Sequence, residues 1–162
     1  MHMNKSIELK PFELFDKQWA LLTAGSIDNH NSMTISWGGT GTLWSKPVAT
    51  VYVKPCRYTH DFMEENDYFV LSFFKEEYRR NLGVMGSVSG RDVDKDKEGK
   101  LTPVKHGDVV IYQEAELTLV CKKIYQNDLD INVIPEEEIK RHYSSQAPHT
   151  MYIGEIVEII NK

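Results

Sequence analysis

Thiols are scarce in this chain: Cys56 and Cys121 are the two cysteines in 162 residues, and they form no Cys-x-x-Cys pair. A disulfide framework and a thioredoxin-like redox motif are therefore excluded, and the expectation is a cytoplasmic protein with two free thiols. Clustered metal ligands are missing too, because the six histidines are scattered and no His/Cys/Asp/Glu group has a zinc spacing. There is no Gly-x-Ser-x-Gly elbow. Gly39-Thr-Gly41 lacks the third glycine and the helix of a dinucleotide fingerprint, since Leu43-Trp-Ser-Lys-Pro47 follows it. No apolar run approaches the ~20 residues of a spanning helix, and Met1–Lys10 has no leader-peptide core. Positive charge is in deficit, with 19 Lys and Arg against 24 Asp and Glu, a net charge of −5. That balance argues against nucleic acid or an anionic membrane as partner, while leaving room for a basic pocket that holds one phosphate.

What is present is an ordinary globular composition, 41% hydrophobic and 27% charged, without repeats or an internal linker. One domain over residues 1–162 is the simplest organisation. Strands are expected at Ala20–Ala24, Ser32–Trp37, Val48–Val53, Tyr68–Phe74, Val109–Tyr112, Ala115–Tyr125 and Met151–Ile160. Turns are expected at Asp28–Asn31 and across Gly38–Gly41 and Leu43–Pro47. Short helices are expected at Thr59–Glu65, capped by Thr59, over Glu76–Met85, and over Ile134–Tyr143 with Pro135 in its first turn. Gly86–Lys100, rich in glycine and charge, reads as a long polar loop, of the kind that is either functional or disordered. Strands joined by short turns outnumber helices, which predicts a mainly β, antiparallel barrel with a few peripheral helices.

Two segments carry residue types suited to a flavin. In Asn31-Ser-Met-Thr-Ile-Ser-Trp37, a period of two puts Asn31, Met33, Ile35 and Trp37 on one face and Ser32, Thr34 and Ser36 on the other. Such a strand offers a flat apolar wall beside backbone hydrogen-bonding groups; the same alternation also describes any half-buried strand. Arg57-Tyr-Thr-His60 places a cation and a hydroxyl at a helix start, where a dianionic phosphate could be held. His60 could equally lie on the outer face of that helix. Cys56, beside Arg57, reads as a buried structural cysteine, with a lowered thiol pKa as the alternative.

These runs, with Ser89-Gly-Arg-Asp92 and the terminal His149-Thr-Met-Tyr-Ile-Gly-Glu155, resemble the flavin reductase-like, FMN-binding split-barrel family, especially its flavoredoxin-like branch. The resemblance spans roughly residues 18 to 160, in the family's order. It implies a split β-barrel with non-covalent FMN along the strand that carries Asn31, Met33, Thr34, Ser36 and Trp37. It implies Arg57, Tyr58 and Thr59 at the phosphate, and a Ser-Gly-x-Asp-x-x-Lys pattern matched by Ser89, Gly90, Asp92 and Lys95. Lys95 is then the lysine near the phosphate or the pyrimidine edge, with Lys97 as fallback, and His149 lines the flavin pocket. The implied activity is NAD(P)H-dependent flavin reduction that passes electrons through FMN to a free flavin or protein acceptor, within a homodimer whose interface shields the ring. The alternatives are an FMN electron carrier reduced by a protein partner and a barrel that binds a ligand without catalysis. No residue of the chain is assigned acid–base catalysis, because the flavin carries the chemistry.

Overall fold

The computed structural model describes residues 7–162. Residues 1–6, which the sequence reading includes in the single domain and in the segment lacking a leader core, lie outside the described residues. Nine strands and four α-helices are found among the described residues. A seven-stranded antiparallel sheet runs in the order β2 (Asn29–Ile35), β1 (Ala20–Ser26), β5 (Tyr68–Phe73), β8 (Leu117–Asp128), β9 (Thr150–Asn161), β4 (Lys46–Val53), β3 (Gly38–Leu43). β6 (Pro103–His106) and β7 (Val109–Tyr112) form a separate hairpin. The helices are α1 (Tyr58–Glu65), α2 (Arg79–Ser87), α3 (Lys95–Gly99) and α4 (Glu136–His142).

Topology forces this sheet to close. β2 and β3 are its two edges, yet only Ser36 and Trp37 separate them in sequence. Three Cα–Cα steps reach at most ~11 Å, whereas the edges of a flat seven-stranded sheet lie ~29 Å apart. The sheet therefore rolls until its edges approach, and because β2 and β3 do not pair, the barrel is split there.

Alternation fills the interior. Ala20, Leu22 and Ala24 of β1, Met33 and Ile35 of β2, Val51 and Val53 of β4, Phe69, Leu71 and Phe73 of β5, and Leu119 and Cys121 of β8 share one core, closed at an end by Phe15. A second cluster, Leu21, Phe74, Leu82, Met85, Leu101 and Tyr112, lies on the outer face of β1 beneath α2 and β7. Both faces of β1 and β2 are consequently buried, which is why Ser32 is not at a solvent face: it is 2% exposed and hydrogen-bonds Thr23 and Tyr112.

Several expectations need correction. β2 starts at Asn29 and ends at Ile35, because the hairpin with β1 extends the ladder to Ser26–Asn29 and reduces the turn to Ile27-Asp28. Gly38–Gly41 is no connection but an edge strand, which needs only backbone groups to pair with β4, and Gly38 lets Phe15 approach so closely that a Cβ would lie 2.7 Å from its ring. Pro103 opens β6, a strand absent from the sequence reading; proline is tolerated at the first position of an edge strand. Gly86–Lys100 is not a bare loop, since α2 runs on to Ser87 and Asp94 caps α3 by accepting from the Lys97 amide at 3.2 Å. α4 begins after Pro135, with Glu136, Glu137 and Glu138 at its positive end and Lys140, Arg141 and His142 at its negative end. Thr59 does not cap α1; Arg57 occupies that position with extended backbone. Cys56 is exposed rather than buried, in the turn after β4, while Cys121 is buried in the core and both thiols are free.

Candidate functional site

A cleft of about 210 Å³ opens where the start of α1, the strand β2, the end of α2 and the segment leading into α3 converge. Asn31, Met33, Arg57, Tyr58, Thr59, Ser89 and Lys95 of the expected residues line it, together with Cys56 and Gly90. Arg57 holds extended backbone (φ −80, ψ 135) at the helix entry, so the Tyr58 and Thr59 amides have no carbonyl one turn back, while the His60 amide donates to the Arg57 carbonyl at 2.9 Å. Its guanidinium donates to the Gly86 carbonyl at 3.0 Å, which ties the helix entry to the end of α2. Asn31 donates from Nδ2 to the Thr59 hydroxyl at 2.7 Å and joins β2 to α1 under the cleft. Gly90 fits against that amide: a Cβ there would stand 2.1 Å from Asn31 Oδ1. The Ser89 hydroxyl accepts from the Arg91 amide at 3.2 Å, and Arg91 stacks over Tyr58 and pairs with Asp61 at 3.0 Å.

Electrostatics single out Arg57 and Lys95. Lys95 is only 7% exposed, and burial, seconded by the Arg57 charge and opposed by Asp96, pulls its pKa down to about 8. Among the described residues, neither cation forms an ion pair. Two uncompensated cations facing one cleft make it a site that an anion would stabilise, since a buried charge is costly until paired. A second cavity of about 300 Å³ adjoins the first, shares Asn31, Tyr58, Gly90 and Lys95 with it, and is also lined by His30, Asp94 and Asp96.

The remaining expected residues lie elsewhere. Thr34 donates to the Leu82 carbonyl at 2.6 Å and anchors α2 on β2. Ser36 and Trp37 line a separate open cleft of about 480 Å³ with Pro11, Phe12 and Phe15. The alternation that grouped Trp37 with Met33 stops with β2 at Ile35, and Trp37, 46% exposed, meets His142 edge-on at 5.0 Å. His149 is buried and bonds through Nδ1 to the Tyr143 hydroxyl at 2.7 Å, 5.4 Å from the Trp37 ring. Burial, with Lys54 and His142 nearby, pulls its pKa down to about 4, so it is a neutral imidazole at pH 7. His60 bonds Thr150 at 2.9 Å on the other side of α1. Lys97 is exposed on α3. Gly86, Ser87 and Val88, which sequence reasoning did not single out, also line the cleft. They sit at the end of α2, in a stretch read as loop, and no residue-type signal marks them.

Residues 12–162 match the family model described as the flavin reductase like domain. The chain belongs to that family. No curated protein matches it. Among solved structures it is similar to the FMN-binding protein of Thermus thermophilus with bound 1-cyclohex-2-enone, with a TM-score of 0.71 at 20% identity, covering 99% of this chain and 80% of that one. The flavoredoxin of Methanosarcina acetivorans is equally similar, with a TM-score of 0.71, 20% identity, and coverage of 100% and 75%. The NADH:FAD oxidoreductase of Streptomyces globisporus C-1027 follows at TM-score 0.69 and 15% identity, covering 90% of this chain and 75% of that one. These likenesses establish the split-barrel fold, and family membership makes flavin the cofactor. The residues present fit it: a cleft with two unpaired cations and free helix-start amides suits a flavin's phosphate.

Proposed function

We propose that this protein holds FMN with its phosphate between Arg57, Lys95 and the first turn of α1, and works as an NAD(P)H-dependent oxidoreductase that passes electrons to a free flavin or a protein acceptor. The carrying observation is the pair of cations, Arg57 and Lys95, that share one cleft without a carboxylate partner. One phosphate suffices for that site, and the chain has no glycine loop for a pyrophosphate, which favours FMN over FAD. When bound, FMN supplies hydride acceptance at N5 and electron release to the acceptor. The chain's part is positional. Arg57 and Lys95 neutralise the phosphate, Tyr58 and Thr59 offer amides and a hydroxyl, and Asn31 and Met33 form the wall beside them. Hydride transfer needs contact at ~3–3.5 Å and no protein acid or base.

The proposal includes a homodimer that completes the site. Trp37, expected beside the ring, is 46% exposed in a separate open cleft, a surface that a second subunit would cover. Sedimentation tests this point: a monomer near 18.7 kDa that binds FMN tightly would refute the shared site.

The decisive experiment is the absorbance spectrum of the purified protein, chromatography of the released cofactor, and anaerobic mixing with each nicotinamide. Bleaching of the flavin band by NADH or NADPH is expected. Bleaching by dithionite alone would replace the reductase reading with a carrier reduced by a protein partner, and a protein that binds no flavin would remove both.

A further inference from the structure

Lys95 belongs to a helix of only five residues, too short to persist by itself. Something must hold α3 against the barrel, and the next residue does so. Asp96 accepts from His30 Nε2 at 2.7 Å with one oxygen and from the Tyr112 hydroxyl at 2.5 Å with the other. The chain of bonds continues from Tyr112 to Ser32 at 2.8 Å and from Ser32 to Thr23 at 2.8 Å, so it reaches three strands. Among the described residues of α3, Asp96 alone has a side chain hydrogen-bonded to strands, namely β2 of the barrel and β7 of the separate hairpin. Asn81 adds one bond, to the Gly99 carbonyl at 2.8 Å, at the far end of the helix.

His30 is held in one protonation state by this geometry. Its Nδ1 faces the Ser26 carbonyl at 3.1 Å and its Nε2 faces the Asp96 carboxylate. Both partners only accept, so both ring nitrogens must donate, and the ring is an imidazolium. Burial would lower the His30 pKa, but Asp96 and the Ser26 carbonyl outweigh it and hold it above the ordinary value. Tyr112 stays a phenol, its pKa pushed up by burial and by Asp96. The other charged groups facing the shared cavity are Asp28, Asp94 and Lys95, with Arg57 beyond Lys95.

We propose that Asp96, clamped between the His30 imidazolium and Tyr112, is the positioning residue that presents Lys95 to the phosphate site. This rests on the FMN reading above. Loss of the clamp frees α3 and withdraws Lys95, which weakens binding of a phosphorylated flavin and leaves riboflavin unaffected. Deprotonation of His30 loosens the same clamp, so the preference for FMN over riboflavin declines as pH rises through the raised His30 pKa.

The test titrates the flavin-free protein with FMN and with riboflavin across neutral to alkaline pH, following flavin fluorescence, for wild type, Asp96→Asn, Tyr112→Phe and His30→Gln. Asp96→Asn is expected to lower the FMN-to-riboflavin preference about 10-fold and Tyr112→Phe about 3-fold. His30→Gln should show a shallower decline than wild type; Lys95 and the phosphate titrate in both proteins, so the difference isolates His30. An unchanged preference in folded Asp96→Asn overturns the proposal while leaving the FMN reading intact. Should Asp96→Asn fail to fold, unchanged preference in both Tyr112→Phe and His30→Gln overturns it equally. A wild type with no preference for FMN over riboflavin sinks both.

Discussion

Replacing Arg57 with alanine removes one of the two cations at the cleft and the bond from its guanidinium to the Gly86 carbonyl. A charge-assisted hydrogen bond to phosphate contributes ~1.5–3 kcal/mol, so FMN binding should weaken about 10- to 150-fold. One effect opposes this. Arg57 is among the causes that pull the Lys95 pKa down to about 8, so its loss lets Lys95 charge more completely. At pH 7.5 about three-quarters of Lys95 is already protonated, and full protonation would recover only ~0.2 kcal/mol. The loss therefore stands nearly whole. Fluorescence titration of flavin-free protein with FMN and riboflavin reads it directly, since riboflavin has no phosphate for Arg57 to meet. Arg57→Lys should fall between wild type and alanine, because it keeps the charge and loses the planar fork. Equal weakening of both flavins by Arg57→Ala would refute the reasoning and make Arg57 a support of the fold through Gly86.

Lys95→Met should stabilise the flavin-free protein by ~3 kcal/mol at neutral pH while weakening FMN binding. In wild type the unfolded chain holds a proton between about 8 and 10.5 that the folded chain has released. Stability should therefore rise with pH across that window, and the variant should show a smaller rise in urea titrations, since Lys123, which burial also pulls down, remains. Gly90→Ala would place a methyl group 2.1 Å from Asn31 Oδ1 and 3.1 Å from the Tyr58 ring. It should cost ~1–3 kcal/mol of stability in denaturant melts and reduce flavin affinity, because Asn31 must leave Thr59. Ser72→Ala removes a buried hydroxyl without a hydrogen-bond partner; it should raise stability by ~1 kcal/mol in the same melts, and a loss of that size would mean the hydroxyl is satisfied.

The mainly β character of this protein was legible in its sequence, because apolar, β-branched runs such as those in β5, β8 and β9 are local and need no knowledge of their partners. The neighbourhood of Arg57, Tyr58 and Thr59 was equally legible, since adjacency in the chain places them at one helix entry. Other features became visible only in three dimensions. A glycine run pairs as β3 because an edge strand asks for backbone and not for side chains. Trp37 leaves the face of Met33 because the ladder ends at Ile35, and a period of two holds only while the strand lasts. The roll of the sheet follows from which strands are its edges, a property of long-range pairing that no window of sequence contains. Arg57 and Lys95 lie far apart in the chain, and their resemblance to a motif could name both without bringing them together. The fold of α3 against β2 and β7 through Asp96 does so. It leaves the two like charges facing one cleft, and the proposed anion site rests on that arrangement.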